Sequence, residues 1–168
     1  ILKIGVLMGG MSIEREVSLN SGRTICDHLD THQYLAIPLF QTTNNKLYIL
    51  PWNFLYRGKI ADFEHRLSQE AKSIAWDDLK TIIDFMYIAQ HGRYGEDGCI
   101  QGIMEVLGIP YLGSKIFGSA IGMDKLMQKK ILRSHGITTP KYITITPESI
   151  THTSLKKIIE QHKLTLPL

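Results

Sequence analysis

Residues 2 to 8, "LKIGVLM", form a largely apolar run that two glycines, Gly9 and Gly10, bring to an end. Such a run predicts a buried strand closing on a tight turn. Polar and charged positions follow, and the apolar ones then return at helical spacing. Ser12 is the expected cap of this helix, with Glu14 and Glu16 in its first turns and Val17, Ile25 and Leu29 on its apolar side. Ser18, Ser21 and Gly22 are small enough to let it approach a sheet closely.

A second strand is expected at "YLAIPLF", where Pro38 favours a place near the sheet edge. Asn44 and Asn45 then suggest a hairpin into "KLYIL". Residues 51 to 80 are polar and interrupted, with one helix predicted around "FEHRLSQEAK". "TIIDFMYIAQ" reads as another buried strand, ending in the glycine-punctuated loop "HGRYGEDG". Asp97 is the expected cap of a helix carrying Ile100, Ile103, Met104 and Leu107, which Gly108 stops. A short strand "IPYLG" follows, then two consecutive helices, the second capped by Asp124 and stopped by Gly136. Pro140 leads into "KYITIT", and a last helix is expected over "SLKKIIEQHK". Strands alternating with helices predict an α/β fold with a wound, mostly parallel sheet flanked by helices, whose ligands bind at the carboxyl ends of the strands. Both glycine loops stand at such ends.

Composition narrows the function classes. A chain of 168 residues is long enough for a real core, and its net charge of +3 is small and spread out. Nucleic-acid binding gains little support from it. No stretch approaches the roughly 18 to 20 apolar residues of a membrane span, and no secretion signal is visible, so the chain reads as cytoplasmic with no membrane partner. Cys26 and Cys99 lie far apart in ordinary surroundings, which argues against a disulfide framework or a thiolate metal site. His28 and His32 are four apart, but no third ligand accompanies them. The chain begins at Ile1 and stops on "LTLPL", and both ends are expected to be cut from a longer polypeptide.

The first glycine loop is neither of the common phosphate-binding turns. Its glycines are adjacent rather than spaced as G-x-G-x-x-G, and no Gly-Lys-Ser/Thr follows. What remains is a helix start that carries carboxylates. There they meet the positive end of the helix dipole and can face a cation, which suggests a ligand bearing an ammonium. The plain alternative is a solvated first turn made of Glu14, Arg15 and Glu16. His91 falls directly at a strand end, with Gly92, Gly95 and Gly98 leaving room for a ligand or for close backbone approach. It can equally satisfy a backbone carbonyl in a tight connection. Lys125, Lys129 and Lys130 read as exposed, solubilising lysines when taken one by one.

Taken together, "GVLMGGMSIEREVSLNSG", "HGRYGEDGCIQGIMEVLGIPYLGS" and "SAIGMDKLMQKKILRSHGI" closely resemble the N-terminal part of the D-alanine-D-alanine ligases, members of the ATP-grasp superfamily. The three stretches stand in the family's order and make up about a third of the chain. The resemblance implies a pre-ATP-grasp, Rossmann-like domain over 1–138 and the beginning of an ATP-grasp central domain over 139–168, with the first nucleotide-facing strand starting near "LPL". It implies an enzyme that joins two D-alanines for peptidoglycan at the expense of ATP. The carboxylate of one D-alanine is phosphorylated, and the amine of the second attacks the acyl phosphate.

By matching position, Glu14 resembles the acid that binds the first D-alanine's ammonium, and Val17 resembles a neighbour lining that subsite. His91 resembles the histidine beside the substrate carboxylate and the acyl phosphate. Gly9, Gly10 and Gly92 match loop positions that let substrate approach the backbone, and Lys125 matches the first nucleotide-phosphate lysine. The resemblance further implies Mg2+, with ligands beyond these residues so that no metal ligand is named here, and a homodimer joined through this domain. An isolated fragment is expected not to turn over. Relatives accepting D-lactate or D-serine, or a silent binding module with an upstream fused domain, are the alternatives.

Overall fold

In the computed structural model, residues 1–56, 58–146 and 155–163 are described. Contacts group the chain into two units, Ile1–Met123 and Asp124–Leu168, and the boundary expected at 138 to 139 falls inside the second.

The first unit is built on a five-stranded sheet. Its elements in chain order are β1 (Leu2–Gly9), α1 (Arg15–His28), β2 (Tyr34–Gln41), β3 (Leu47–Ile49), the one-turn helices α2 (Trp52–Leu55) and α3 (Leu67–Glu70), β4 (Lys72–Ile74), the one-turn α4 (Leu79–Ile82), β5 (Phe85–Ile88), α5 (Cys99–Leu107) and α6 (Ile116–Met123). The strand order is β4-β3-β2-β1-β5. β1 lies between β2 and β5 and runs parallel to both, while β3 and β4 continue beyond β2 as antiparallel strands. Asn45 takes a left-handed φ of 60° in the hairpin between β2 and β3, a conformation asparagine tolerates better than most residues. Pro38 stands where the β3 ladder ends: β3 pairs with Leu39, Phe40 and Gln41, and only the Leu50 N–H reaches the Pro38 carbonyl, at 2.9 Å. The missing proline N–H thus falls where no ladder asks for it. The expected strand at "IPYLG" is a single parallel bridge, Met86 to Tyr111.

Alternate residues of the central strands feed two cores, one on each face of the sheet. Val6, Met8 and Phe40 pack with Leu19 of α1 on one face, and Leu7, Leu39 and Met86 pack with Ile100 and Met104 of α5 on the other. The irregular segment after β3 covers the first core: Phe63 meets Phe40 edge-on at 5.4 Å and stacks on Phe54 at 5.2 Å. No single helix forms over "FEHRLSQEAK"; two turns and the start of β4 occupy it.

α1 differs from expectation in two ways. It starts at Arg15, with Glu14 in the cap position, and the Ser12 hydroxyl serves a tighter turn by accepting the Glu14 N–H at 3.1 Å. Its buried face is Ser18, Leu19, Gly22 and Cys26, while Val17 is 53% exposed. The close approach of α1 to β1 explains the rotation, since a Cβ on Gly22 would lie 2.7 Å from the Met8 side chain. Small residues therefore face the sheet, and Val17 turns outward.

The second unit contains α7 (Lys125–Ser134) and α8 (Leu155–Gln161). Asp124 caps α7 by accepting the N–H groups of Leu126 and Met127, each at 3.0 Å. Gly136, at φ 71°, follows its end. Lys129 does more than solubilise: its ammonium lies 5.2 Å from the Tyr142 ring centre and 3.4 Å from the Pro140 carbonyl. "KYITIT" has no regular structure, and "LPL" lies outside the described residues.

Candidate functional site

Two loops meet at the carboxyl ends of β1 and β5. Gly9 and Gly10 take φ of 81° and 100°, so the chain leaves β1 in a turn that side chains would strain. A Cβ on Gly9 would press on the Gln41 carbonyl at 2.6 Å, and one on Gly10 would meet the Gln90 amide at 2.9 Å. The turn is tied to its surroundings by buried polar groups. Gly10 donates to the Gln41 carbonyl at 2.8 Å, and Gln90 donates to the Gln41 side chain at 2.5 Å. Ser18, fully buried on α1, accepts from the Gly9 N–H at 3.0 Å and donates to the Ala89 carbonyl at 2.9 Å. One hydroxyl therefore links the turn after β1 to the strand end that carries His91.

The second loop, residues 91 to 98, is held by its own acids. Glu96 accepts the Gly92 N–H at 2.6 Å, and Asp97 accepts the N–H groups of Tyr94 at 2.8 Å and Cys99 at 3.2 Å. Burial works to raise the Asp97 carboxyl, but the hydrogen bonds from Tyr94 and Cys99 outweigh it and hold it below the usual carboxylate value. Gly98 occupies the cap position of α5 at φ 97°, so Asp97 secures the helix from one residue earlier than expected. Tyr94 itself takes φ 71°, rare for a bulky residue, beneath the Arg93 guanidinium at 4.9 Å.

The charged triplet at the start of α1 divides into unlike parts. Arg15 pairs with Glu64 through its two terminal guanidinium nitrogens, at 2.5 and 3.3 Å, and Glu16 accepts the Ile60 N–H at 3.1 and 3.2 Å. Both fasten the segment after β3. Glu14 does neither: its carboxylate has no hydrogen-bond or ion-pair partner among the described residues. It reaches the second loop instead, where Oε2 would lie 2.2 Å from a Cβ on Gly92. A solvated first turn therefore fits neither Arg15 nor Glu16, and Glu14 is seated against the residue next to His91.

His91 is half-buried, and its Nε2 lies 2.8 Å from the Ser21 hydroxyl. It also lines a cleft of about 400 Å³ with Gln90, Glu96, Gln101, Ser114 and Ser119. Glu14 meets the loop at Gly92 and does not line that cleft. Gln101 donates to the Gly95 carbonyl at 2.9 Å, while its own buried Oε1 lacks a partner. Val17 is exposed one turn after Glu14 on α1. Gly9, Gly10 and Gly92 are buried, and each N–H already donates within the fold. Their absent Cβ atoms make space, and their amides are not spare donors. Lys125 is the first residue of α7, exposed, in the second unit.

The structure thus brings Glu14, His91, Gly9, Gly10 and Gly92 to one end of the sheet. Ser18 and Ser21 were legible only as small residues, and nothing in the sequence marked their bonds to the His91 strand end. Among the described residues no three His, Cys, Asp or Glu side chains gather as a metal site. His28, at the end of α1, bonds the Thr24 carbonyl, and His32 lies beyond the helix. No described helix is long and apolar enough to cross a membrane.

Comparison with known proteins places the chain in a family. The model for "D-ala D-ala ligase N-terminus" matches residues 3–114. A D-alanine--D-alanine ligase of Pelotomaculum thermopropionicum is 37% identical over 169 residues, covering 99% of this chain and 44% of its own. The solved D-alanine-D-alanine ligase of Coxiella burnetii superposes with a TM-score of 0.80 at 28% identity, over 96% of this chain and 50% of that one. The Bacillus anthracis ligase complexed with ATP gives 0.60 at 36% identity, over 94% and 45%. The chain therefore spans under half the length of such curated relatives.

Proposed function

This chain belongs to the D-ala D-ala ligase N-terminus family, and we propose that it supplies the first amino-acid subsite of an ATP-dependent ligase that joins two D-alanines. The observation that carries the reading is Glu14. The two residues that follow it, Arg15 and Glu16, are engaged in holding the fold, whereas its own carboxylate is left without a partner among the described residues and rests against Gly92. A carboxylate in that position pairs with an ammonium by a charge-assisted hydrogen bond, and D-alanine brings both an ammonium and a carboxylate.

On this reading Glu14 fixes the amine end of the substrate, and Val17 lines the subsite beside it. His91 stands at the carboxylate end, where negative charge builds as the carboxylate is activated. Gly92 leaves the space in which the Glu14 carboxylate sits, and Gly9 and Gly10 shape the turn beneath it. ATP, when bound, supplies the phosphoryl group that activates the carboxylate. Lys125 is exposed at the first turn of its helix, where a compact ammonium suits a phosphate oxygen. Residues 139–168 are read as the start of the nucleotide-binding part.

The test is Glu14→Gln in the full-length ligase. Loss of the charge raises the KM for the first D-alanine by about tenfold or more, the size of a charged hydrogen bond. An unchanged KM overturns the assignment. These 168 residues by themselves form no dipeptide, because positioning and charge neutralisation supply most of the rate in phosphoryl transfer. A dipeptide product from this chain alone overturns that.

A further inference from the structure

Ser21 stands seven residues after Glu14, two turns along α1, with its hydroxyl 2.8 Å from Nε2 of His91. Either atom can donate across that distance, so the other partners decide the direction. Serine and threonine inside helices commonly return the hydroxyl to the carbonyl four residues back, as Thr24 does to Asn20 at 3.0 Å. Ser21 makes no such bond. Among the described residues Nε2 of His91 is the one partner of its hydroxyl, and Nδ1 of the same ring has none.

A half-buried hydroxyl proton requires an acceptor, and here the ring nitrogen is the acceptor offered. We infer that Ser21 donates to Nε2 and thereby fixes neutral His91 as the Nδ1–H tautomer, so that the ring presents a proton donor to the ligand. Neutral histidine in water favours the opposite tautomer, so this is a property the fold imposes. The consequence is chemical. A ring with Nδ1–H can hydrogen-bond a carboxylate or an acyl phosphate without first gaining a proton, whereas the other tautomer would turn a lone pair toward the anion. The Gly92 N–H cannot replace it, since Glu96 already accepts that proton at 2.6 Å. Ser21 is a positioning residue, acting through His91. This role toward an anion rests on the reading of His91 as a ligand-facing residue, but the tautomer itself does not.

The experiment is long-range proton–nitrogen correlation of the histidine rings in this chain, at a pH where His91 is neutral, with His91→Gln identifying its signals. The expected result is a protonated Nδ1 and an unprotonated Nε2. Ser21→Ala moves the tautomer ratio about fivefold toward Nε2–H, as loss of one net hydrogen bond would, and Ser21→Thr restores it. A wild-type ring with Nε2–H overturns the inference, as does a ratio unmoved by Ser21→Ala in a protein whose amide spectrum is otherwise native. If Ser21→Ala does not fold, the wild-type and Ser21→Thr spectra still decide. D-alanine titration of the full-length ligase separates the two proposals. Nδ1–H in a full-length ligase whose Glu14 and His91 signals ignore D-alanine defeats the ligand reading alone, while Nε2–H in a full-length ligase that binds D-alanine defeats the tautomer alone.

Discussion

Glu14 and Gly92 are 78 positions apart in sequence and occupy one another's space: a methyl group on Gly92 would sit 2.2 Å from Oε2 of Glu14 and 2.5 Å from the Ser12 hydroxyl. Gly92 also has φ 72°, so Gly92→Ala meets backbone strain and a displaced carboxylate together. Glu14 is exposed and flexible and can swing away, so the stability cost is the backbone's, about 1 to 2 kcal/mol. D-alanine binding suffers more than folding does. Urea titration and D-alanine titration of the same variant check this, and a variant that binds normally removes Gly92 from the site.

Ser18 carries the largest stability prediction. Its buried hydroxyl is the shared partner of the Gly9 N–H and the Ala89 carbonyl, so Ser18→Ala leaves both without a bond in a place water does not reach. The expected loss is roughly 2 to 4 kcal/mol, read from the urea midpoint. Because Ala89 lies two residues before His91, the His91 ring signals should shift as well. A loss below about 0.5 kcal/mol would mean that water or a shifted backbone replaces the hydroxyl.

Where a single local rule governs the chain, the sequence was readable. The apolar run before Gly9, the Asp124 cap and the Gly108 stop each depend on neighbours within a few residues, and each stands where expected. Segments 51 to 80 fail on the same ground. Phe54, Ile60, Phe63 and Leu67 are all buried, but they are delivered by short turns rather than by one helix, so no period of 3.6 or 2 records them. β4 has three residues and none is buried, which leaves no alternation to detect. Val17 was assigned to the core because it is apolar, whereas Ser18 and Gly22 won that face by being small. At the site, the residue types were legible and the bonds were not. Ser18 and Ser21 find their partners 71 and 70 positions away, and only the fold brings those together.

Acid should loosen the loop of residues 91 to 98 through Asp97. Its carboxyl titrates below the ordinary value of 3.8, because the hydrogen bonds from Tyr94 and Cys99 overcome the opposing effect of burial. A folded-state value lower than the unfolded one means that the unfolded chain binds the proton more readily. Asp97 therefore contributes its stability fully above about pH 4, and that contribution is lost as pH falls through the folded-state value. Urea midpoints measured from about pH 5 down to 2 should fall, and Asp97→Asn should fall less steeply while being weaker at neutral pH. Parallel curves for the two proteins would show that Asp97 is not the group responsible.

The two cysteines should separate cleanly in a thiol-labelling experiment. Cys26 is 5% exposed on the sheet-facing side of α1, and burial, aided by the negative charge of Asp27, pushes its thiol up to about 12. It has neither access nor thiolate at neutral pH, and its labelling must wait for α1 to leave the sheet. Cys99 is exposed at the start of α5, yet its thiol is also raised, first by its hydrogen bond to the Asp97 carboxylate and then by burial. One thiol per chain should therefore react in the native state, more slowly than free cysteine, and peptide mapping should locate it at Cys99. Asp97→Asn removes the acceptor charge and should speed that reaction while leaving Cys26 silent. Native labelling of Cys26 at the rate of Cys99 would mean that α1 opens readily, and with it the seat of Glu14, Ser18 and Ser21.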